Sequence, residues 1–185
     1  MIVMGVDPGA ANTGFGVVRV AGAQMAALDG GVIEDETGQL SAERRLERIH
    51  RALTDLIDWH EPEAIAVEEL YFGRNVRSAI AVGQARGVAL LAAAQHGIPC
   101  FDYTPQAVKM AVCGSGAAGK KQVQRMVAAL LHLPEPPHPD HAADALAVAI
   151  CHAGSTGMRA SVSATDEARL AGAVAAAPPR QRLAG

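Results

Sequence analysis

The sequence predicts an α/β domain built on a mixed sheet covered on both faces, and three observations carry that expectation. An apolar run of strand length, Ile2-Val3-Met4-Gly5-Val6, ends abruptly in Asp7 and turns at Pro8-Gly9. A second run, Ala64-Ile65-Ala66-Val67, also ends in acid, at Glu68-Glu69, and the stretch between the two holds a helix long enough to cross over between parallel strands. Half of the residues are hydrophobic, yet only six are aromatic and 19 are glycine. That composition suits helices packed closely on a sheet, with a core of Val, Leu, Ile, Met and Ala.

In chain order, residues 14–20 and 25–32 read as two further strands, which with the first make an opening meander. Glu34 to Gln39 is polar loop. A helix starts near Ser41 and ends near His60-Glu61-Pro62, with Leu46, Ile49, Leu53, Leu56 and Ile57 as its apolar stripe and Arg44, Arg45, Glu47 and Arg51 as a solvated face. After the strand at 64–69, residues 78–96 form a helix of small side chains, Gly83, Ala85, Gly87, Ala89, Ala92 and Ala93, suited to deep burial or a subunit contact. Residues 98–103 are a fifth strand and 105–112 a short helix. A glycine-rich loop, 114–119, leads into a helix continuing to Leu133, and a Pro-rich segment leads into a last helix from His138 or Pro139 to about Ala153. Residues 1–153 are thus one domain. Residues 154–185, rich in Ala, Ser, Pro and Arg, are a flexible low-complexity C-terminal tail.

Composition excludes some classes. The net charge of −3 gives no overall attraction to nucleic acid or membrane, so binding of a polyanion needs a local cationic patch. No run reaches the roughly 18 apolar residues of a membrane span. The first strand begins without a basic segment and cleavage site, so no export signal is expected. Cys100, Cys113 and Cys151 are widely spaced without a ligand pattern, which fits reduced, buried thiols in the cytoplasm.

The chemistry is carried by acids. A carboxylate at the tip of a buried strand needs donors or a metal as partner, although Asp also caps turns through its own side chain. Two parallel strands ending in acid put those acids on one rim. Alternation lets only one of Glu68 and Glu69 join Asp7. On the last helix, at about 100° per residue, Asp140, His141 and Asp144 share one face. Asp140 is explained by the helix dipole alone, whereas Asp144 lies deeper among alanines. Asp7, Glu68, Asp144 and His141 therefore form a candidate cluster whose mutual repulsion calls for cations. Hard oxygen ligands without paired cysteines point to Mg²⁺, with Mn²⁺ as the alternative. Two such ions per subunit would serve phosphodiester cleavage, with lysines offsetting charge in the transition state.

Tyr71 and Phe72, followed by Gly73-Arg74-Asn75-Val76-Arg77, place aromatics and arginines beside this rim, as stacking on an unpaired base and holding phosphate would require. Lys109 lies on the short helix. Lys120-Lys121 follow a loop that lacks the G-x-x-x-x-G-K-[ST] spacing of a nucleotide site, and such a pair is also ordinary surface.

Several stretches taken together resemble one family over roughly residues 1–153: Gly5-Val6-Asp7-Pro8-Gly9, Ala66-Val67-Glu68-Glu69, Gly83-Gln84-Ala85-Arg86-Gly87-Val88-Ala89, Gln122-Val123-Gln124 and Asp140-His141-Ala142-Ala143-Asp144-Ala145-Leu146-Ala147. They are similar to the bacterial RuvC Holliday-junction resolvases. The resemblance implies a ribonuclease H-like fold, a five-stranded mixed sheet flanked by helices. It implies a homodimer that cuts two strands of like polarity at a four-way DNA junction, alongside the branch-migration proteins RuvA and RuvB. By position, the metal-binding acids fall on Asp7, Glu68 and Asp144, and the fourth active-site position, Asp or His among relatives, on His141. The catalytic-site lysines match Lys109 and Lys120. The stacking aromatic matches Tyr71, with Phe72 as competitor. A basic residue that some relatives carry further along the helix is Ala81 here, so Arg74, Arg77 or Arg86 is the candidate for that phosphate contact.

Two rivals stand beside this reading. Asp7-Pro8-Gly9 with Thr13-Gly14 resembles the phosphate-binding turn of sugar kinases and actin-like ATPases, but those need a second domain to enclose ATP. A junction-binding module with a vestigial acidic site is the non-enzymatic alternative.

Overall fold

A computed structural model describes residues 1–9, 11–34, 40–69 and 76–155, with the side chains of the last stretch described from residue 79. Five strands form one sheet: β1 (Ile2–Asp7), β2 (Asn12–Ala21), β3 (Gln24–Glu34), β4 (Ala64–Glu68) and β5 (Cys100–Tyr103), in spatial order β3-β2-β1-β4-β5. The meander β1-β2-β3 is antiparallel, while β4 lies parallel to β1 and β5 parallel to β4. The sheet is therefore mixed, as expected, because the first two connections are only a few residues long and the later ones carry helices.

Helices α1 (Ala42–His60) and α2 (Val76–Gln95) cover one face. Met4, Val6, Val17, Ile65 and Val67 of the strands pack there against Ile49, Leu53 and Ile57 of α1 and Ala85, Ala89, Ala92 and Ala93 of α2. Helices α3 (Pro105–Cys113), α4 (Lys120–Leu130) and α5 (140–155) cover the other. There Val3, Val18 and Ala66 meet Val108, Val112, Val123, Val127, Leu146 and Ala147. The strict alternation, Val3 to one side and Met4 to the other, is what a doubly covered strand requires.

Local chemistry sets most element ends. Thr104 caps α3, its hydroxyl accepting from Ala107 N–H at 3.1 Å, and Pro105 occupies the first turn where no N–H is needed. Gly114 ends α3 in the left-handed region, φ +70°. α4 stops at Leu130, three residues before the expected Leu133, because His132 turns at φ +56° and Pro134 follows. β5 starts at Cys100 rather than Ile98: Gly97 turns the chain at φ +68°, and Pro99 has no N–H to enter a ladder, though its carbonyl accepts from Ile65 N–H. No described helix is long and apolar enough to cross a membrane. Beyond residue 155, the expected tail lies outside the described residues, as do Tyr71, Phe72, Arg74 and the side chain of Arg77.

Candidate active site

The site is assembled where β1, β4 and the start of α5 meet. Val3, Gly5 and Asp7 alternate onto the α5 face of the sheet, as do Ala66 and Glu68 of β4. The register sets Gly5 beside Ala66 and Val6 beside Val67, which carries Glu68 alongside Asp7. Glu69 points away and is exposed, its N–H donating to Tyr103 O at 2.8 Å. Thus Glu68, and not Glu69, joins Asp7.

The third contributor arrives because the sheet lets α5 come close. A Cβ at Gly5 would collide with the carbonyl of Ala145, and one at Gly14 with the carbonyl of His141. Bare backbone at these two positions allows the helix to rest directly on β1 and β2. His141 and Asp144, three residues apart on one helix face, then stand over Asp7.

His141 Nδ1 lies 2.7 Å from Asp7 Oδ2, a contact in which the ring N–H donates and the carboxylate accepts. Asp7, His141 and Asp144 each present one ligand atom, and these atoms all lie within 4.8 Å of one another. Among the described residues this is the one group of at least three His, Cys, Asp or Glu side chains so placed. Burial, then the negative charges of Asp7 and Asp144 and a hydrogen bond with Asp7, push Glu68 up from 4.5 to about 8. Burial likewise raises Asp144, outweighing the opposing charge of Lys120. One carboxylate that keeps its proton near neutrality and a second whose affinity for a proton is raised, both short of positive charge and supported by an imidazole, fit a hard divalent cation. A cavity of about 210 Å³ opens beside them, lined by Glu68, Lys109, Lys120 and Asp144 at its polar end and Val108, Val123 and Ala147 at its floor. A larger concavity of about 500 Å³ runs along α1 past Arg44, Glu47, Arg48 and Asp55, but the clustered acids are not part of it.

Residues 3–152 match the model of the crossover junction endodeoxyribonuclease RuvC family. This chain belongs to the RuvC family. The RuvC of Pelotomaculum thermopropionicum is 56% identical over 153 residues, which are 83% of this chain and 93% of that protein. The RuvC of Rubrobacter xylanophilus is 51% identical over 159 residues, 86% and 88% of the two chains. The structure of Thermus thermophilus RuvC superposes with a TM-score of 0.79 at 42% identity, covering 85% of this chain and 96% of that one. T. thermophilus RuvC in complex with a Holliday junction substrate gives a TM-score of 0.81 at 43% identity with the same coverage. The fold is therefore ribonuclease H-like, and the enzyme class of this RuvC family member is crossover junction endodeoxyribonuclease.

The residues expected at the site of this RuvC-family chain fall in four groups. Asp7, His141 and Asp144 come within ligand distance of one another, with Glu68 beside Asp7 at the edge of the cavity. Lys109 and Lys120 line the cavity. Lys120 Nζ stands 3.3 Å from Asp144 Oδ2 and 3.1 Å from Asp140 Oδ2. Lys121 is exposed on the first turn of α4, and its carbonyl accepts from Arg125 Nε at 3.3 Å. Arg86 lies elsewhere, on α2, donating to Asp102 Oδ1 at 2.6 Å, and it does not line the cavity. Tyr71, Phe72 and Arg74 are outside the described residues, and of Arg77 only the backbone is described, near the start of α2.

Two features of the site carry no role in the sequence reading. The landing of α5 on Gly5 and Gly14 is one; a glycine inside a strand pattern is its signal, since it marks close backbone approach. The other is Gln124, 8% exposed, whose amide donates to Asp140 Oδ1 at 2.7 Å. A polar residue next to Val123 on the buried side of an amphipathic helix was the available sign.

Proposed function

We propose that this chain acts as a homodimer that resolves four-way DNA junctions in recombination and repair, nicking two strands of like polarity symmetrically. The ends left are 5′-phosphate and 3′-hydroxyl. The observation that carries the reading is the convergence of Asp7, His141 and Asp144 within ligand distance of one another, with Glu68 and two lysines at the adjoining cavity. Membership of the RuvC family, with a T. thermophilus relative solved on a Holliday junction substrate, supports the choice of DNA structure.

Asp7, Glu68 and Asp144, with His141 as fourth, would hold Mg²⁺ or Mn²⁺, two ions per subunit, supplying an activated water and charge stabilisation of the departing oxygen. Attack of water on phosphorus breaks the bond to the 3′ oxygen. Lys109 and Lys120 bring positive charge to the non-bridging oxygens as the reacting phosphate becomes more negative. His141, holding Asp7 through Nδ1, keeps Nε2 for ligation or for taking the water's proton. Lys121, Arg74 and Arg77 contact flanking phosphates, which position the duplex arms without reading sequence. Arg86 joins them only by leaving Asp102. Tyr71, or Phe72 beside it, stacks on an unpaired base.

Resolution needs two matched cuts, and a two-fold dimer presents two identical sites to a two-fold junction. The outward face of α2 suits that contact: Ile80 and Leu91 are 58% and 50% exposed, with Gln84 and Gly87 exposed between them at helical spacing. RuvA and RuvB are its expected partners and the cytoplasm its compartment. Single-turnover cleavage of a synthetic four-way junction, with Mg²⁺, Mn²⁺ or chelator, tests the proposal. Paired nicks on the two strands of like polarity that need the cation are expected. Equal cutting of linear duplex, or cutting in chelator, overturns it.

A further inference from the structure

Beside the acidic cluster, Lys120 belongs to a polar chain whose other two members, Gln124 and Asp140, the proposed chemistry does not use. Gln124 Nε2 donates to Asp140 Oδ1 at 2.7 Å, Asp140 Oδ2 accepts from Lys120 Nζ at 3.1 Å, and that ammonium lies 3.3 Å from Asp144 Oδ2. We propose that Asp140 is a positioning residue for Lys120, itself aimed by the buried amide of Gln124, and that this relay fixes where the ammonium stands over the cavity. The inference rests on the reading of Lys120 as a group that serves cutting.

Each link has a physical reason. A buried amide costs free energy unless it is hydrogen-bonded, so an apolar side chain would serve packing better than Gln124 at a site 8% exposed. What Gln124 provides is an N–H directed at one oxygen of Asp140, leaving the other oxygen for the lysine. A lone exposed Lys–Asp pair is weak because both side chains must give up rotamers to meet. Here one partner is already held. Lys120 also opens α4 next to Lys121, where the helix dipole disfavours positive charge and the first turn offers no acid. Its compensation comes across space, from Asp140 and Asp144. A long flexible side chain that is 51% exposed thereby keeps one orientation at the cavity.

The test is single-turnover cleavage of a four-way junction by the full chain in Mg²⁺, with junction affinity measured separately in Ca²⁺. The variants are Lys120→Ala, Asp140→Asn and Gln124→Met, the last similar in volume but without the donor, and each of the latter two combined with Lys120→Ala. Asp140→Asn and Gln124→Met are expected to slow cutting about tenfold while affinity stays within about twofold, as for groups that orient an active side chain. In the Lys120→Ala background neither should slow cutting by more than about twofold, because the relay has nothing left to orient. Equal losses in both backgrounds would mean a structural role and overturn the relay. A slow Lys120→Ala enzyme with full activity in Asp140→Asn overturns the relay alone; Lys120→Ala cutting at the normal rate overturns the role of Lys120 as well. Asp140 is half-exposed, so its variant remains informative if Gln124→Met fails to fold.

Discussion

Asp7 and Gly14 face each other across the β1–β2 ladder, and the space that a side chain on Gly14 would fill is taken by the backbone carbonyl of His141. The geometry of the proposed metal site thus depends on a missing methyl group. Gly14→Ala must push the start of α5 off the sheet, at a cost of about 1–3 kcal/mol for an overpacked contact. It also separates His141 and Asp144 from Asp7. The expected outcome is a modest drop in melting temperature with junction cleavage lowered by 100-fold or so, since small misplacements of reacting groups are costly. A variant that melts lower yet cuts normally would show that α5 can shift without cost to the site.

Asp7→Asn and Asp144→Asn keep the shape of each side chain and remove its charge. Loss of a cation ligand at a phosphoryl-transfer site forfeits several kcal/mol of transition-state stabilisation, so cutting should fall by about 1000-fold or more. Junction affinity should change little, because it comes mainly from phosphate contacts made by other residues. Gel-shift binding beside single-turnover cleavage checks both halves. Equal loss of binding and cutting would count against a metal role for these acids.

Leu91, exposed at one end of the outward face of α2, makes a direct test of the proposed dimer. Leu91→Glu would bury a charge without a partner in an isologous contact, twice per dimer, and should shift sedimentation from dimer to monomer. The monomer should nick junctions singly rather than resolve them. Unchanged sedimentation would place the subunit contact elsewhere.

The acids of the site were legible because their positions break a pattern: a carboxylate ending an apolar strand, or sitting among alanines on a helix. Alternation on β4 limited the choice between Glu68 and Glu69 to one. What the chain order hides is which partner completes a polar residue across the fold. Asp140 looks like any acid at a helix start, and only the packing of α4 on α5 turns it toward Gln124 and Lys120. Arg86 looks like a free cation in sequence, yet Asp102 from β5 claims it. Gly5 and Gly14 read locally as strand irregularities, because the helix that lands on them lies more than a hundred residues away.

Glu68 ties the stability of the metal-free protein to pH. Its folded value, about 8, lies above the 4.5 expected of an unfolded chain. Below pH 4.5 both states carry the proton and the group has no effect. Between 4.5 and 8 the unfolded chain releases the proton while the folded one keeps it, so unfolding becomes easier as pH rises, by up to a few kcal/mol. Asp144, also raised, acts in the same direction. In chelator, the melting temperature should therefore fall across this window, and Glu68→Gln should flatten the fall. Mg²⁺ displaces the proton from the acids it binds, so the stabilisation it gives should grow from pH 6 to pH 8. Thermal melts at the two pH values, with and without the cation, measure it; a Mg²⁺ effect that is equal at both, or absent, would remove Glu68 from the metal-binding set.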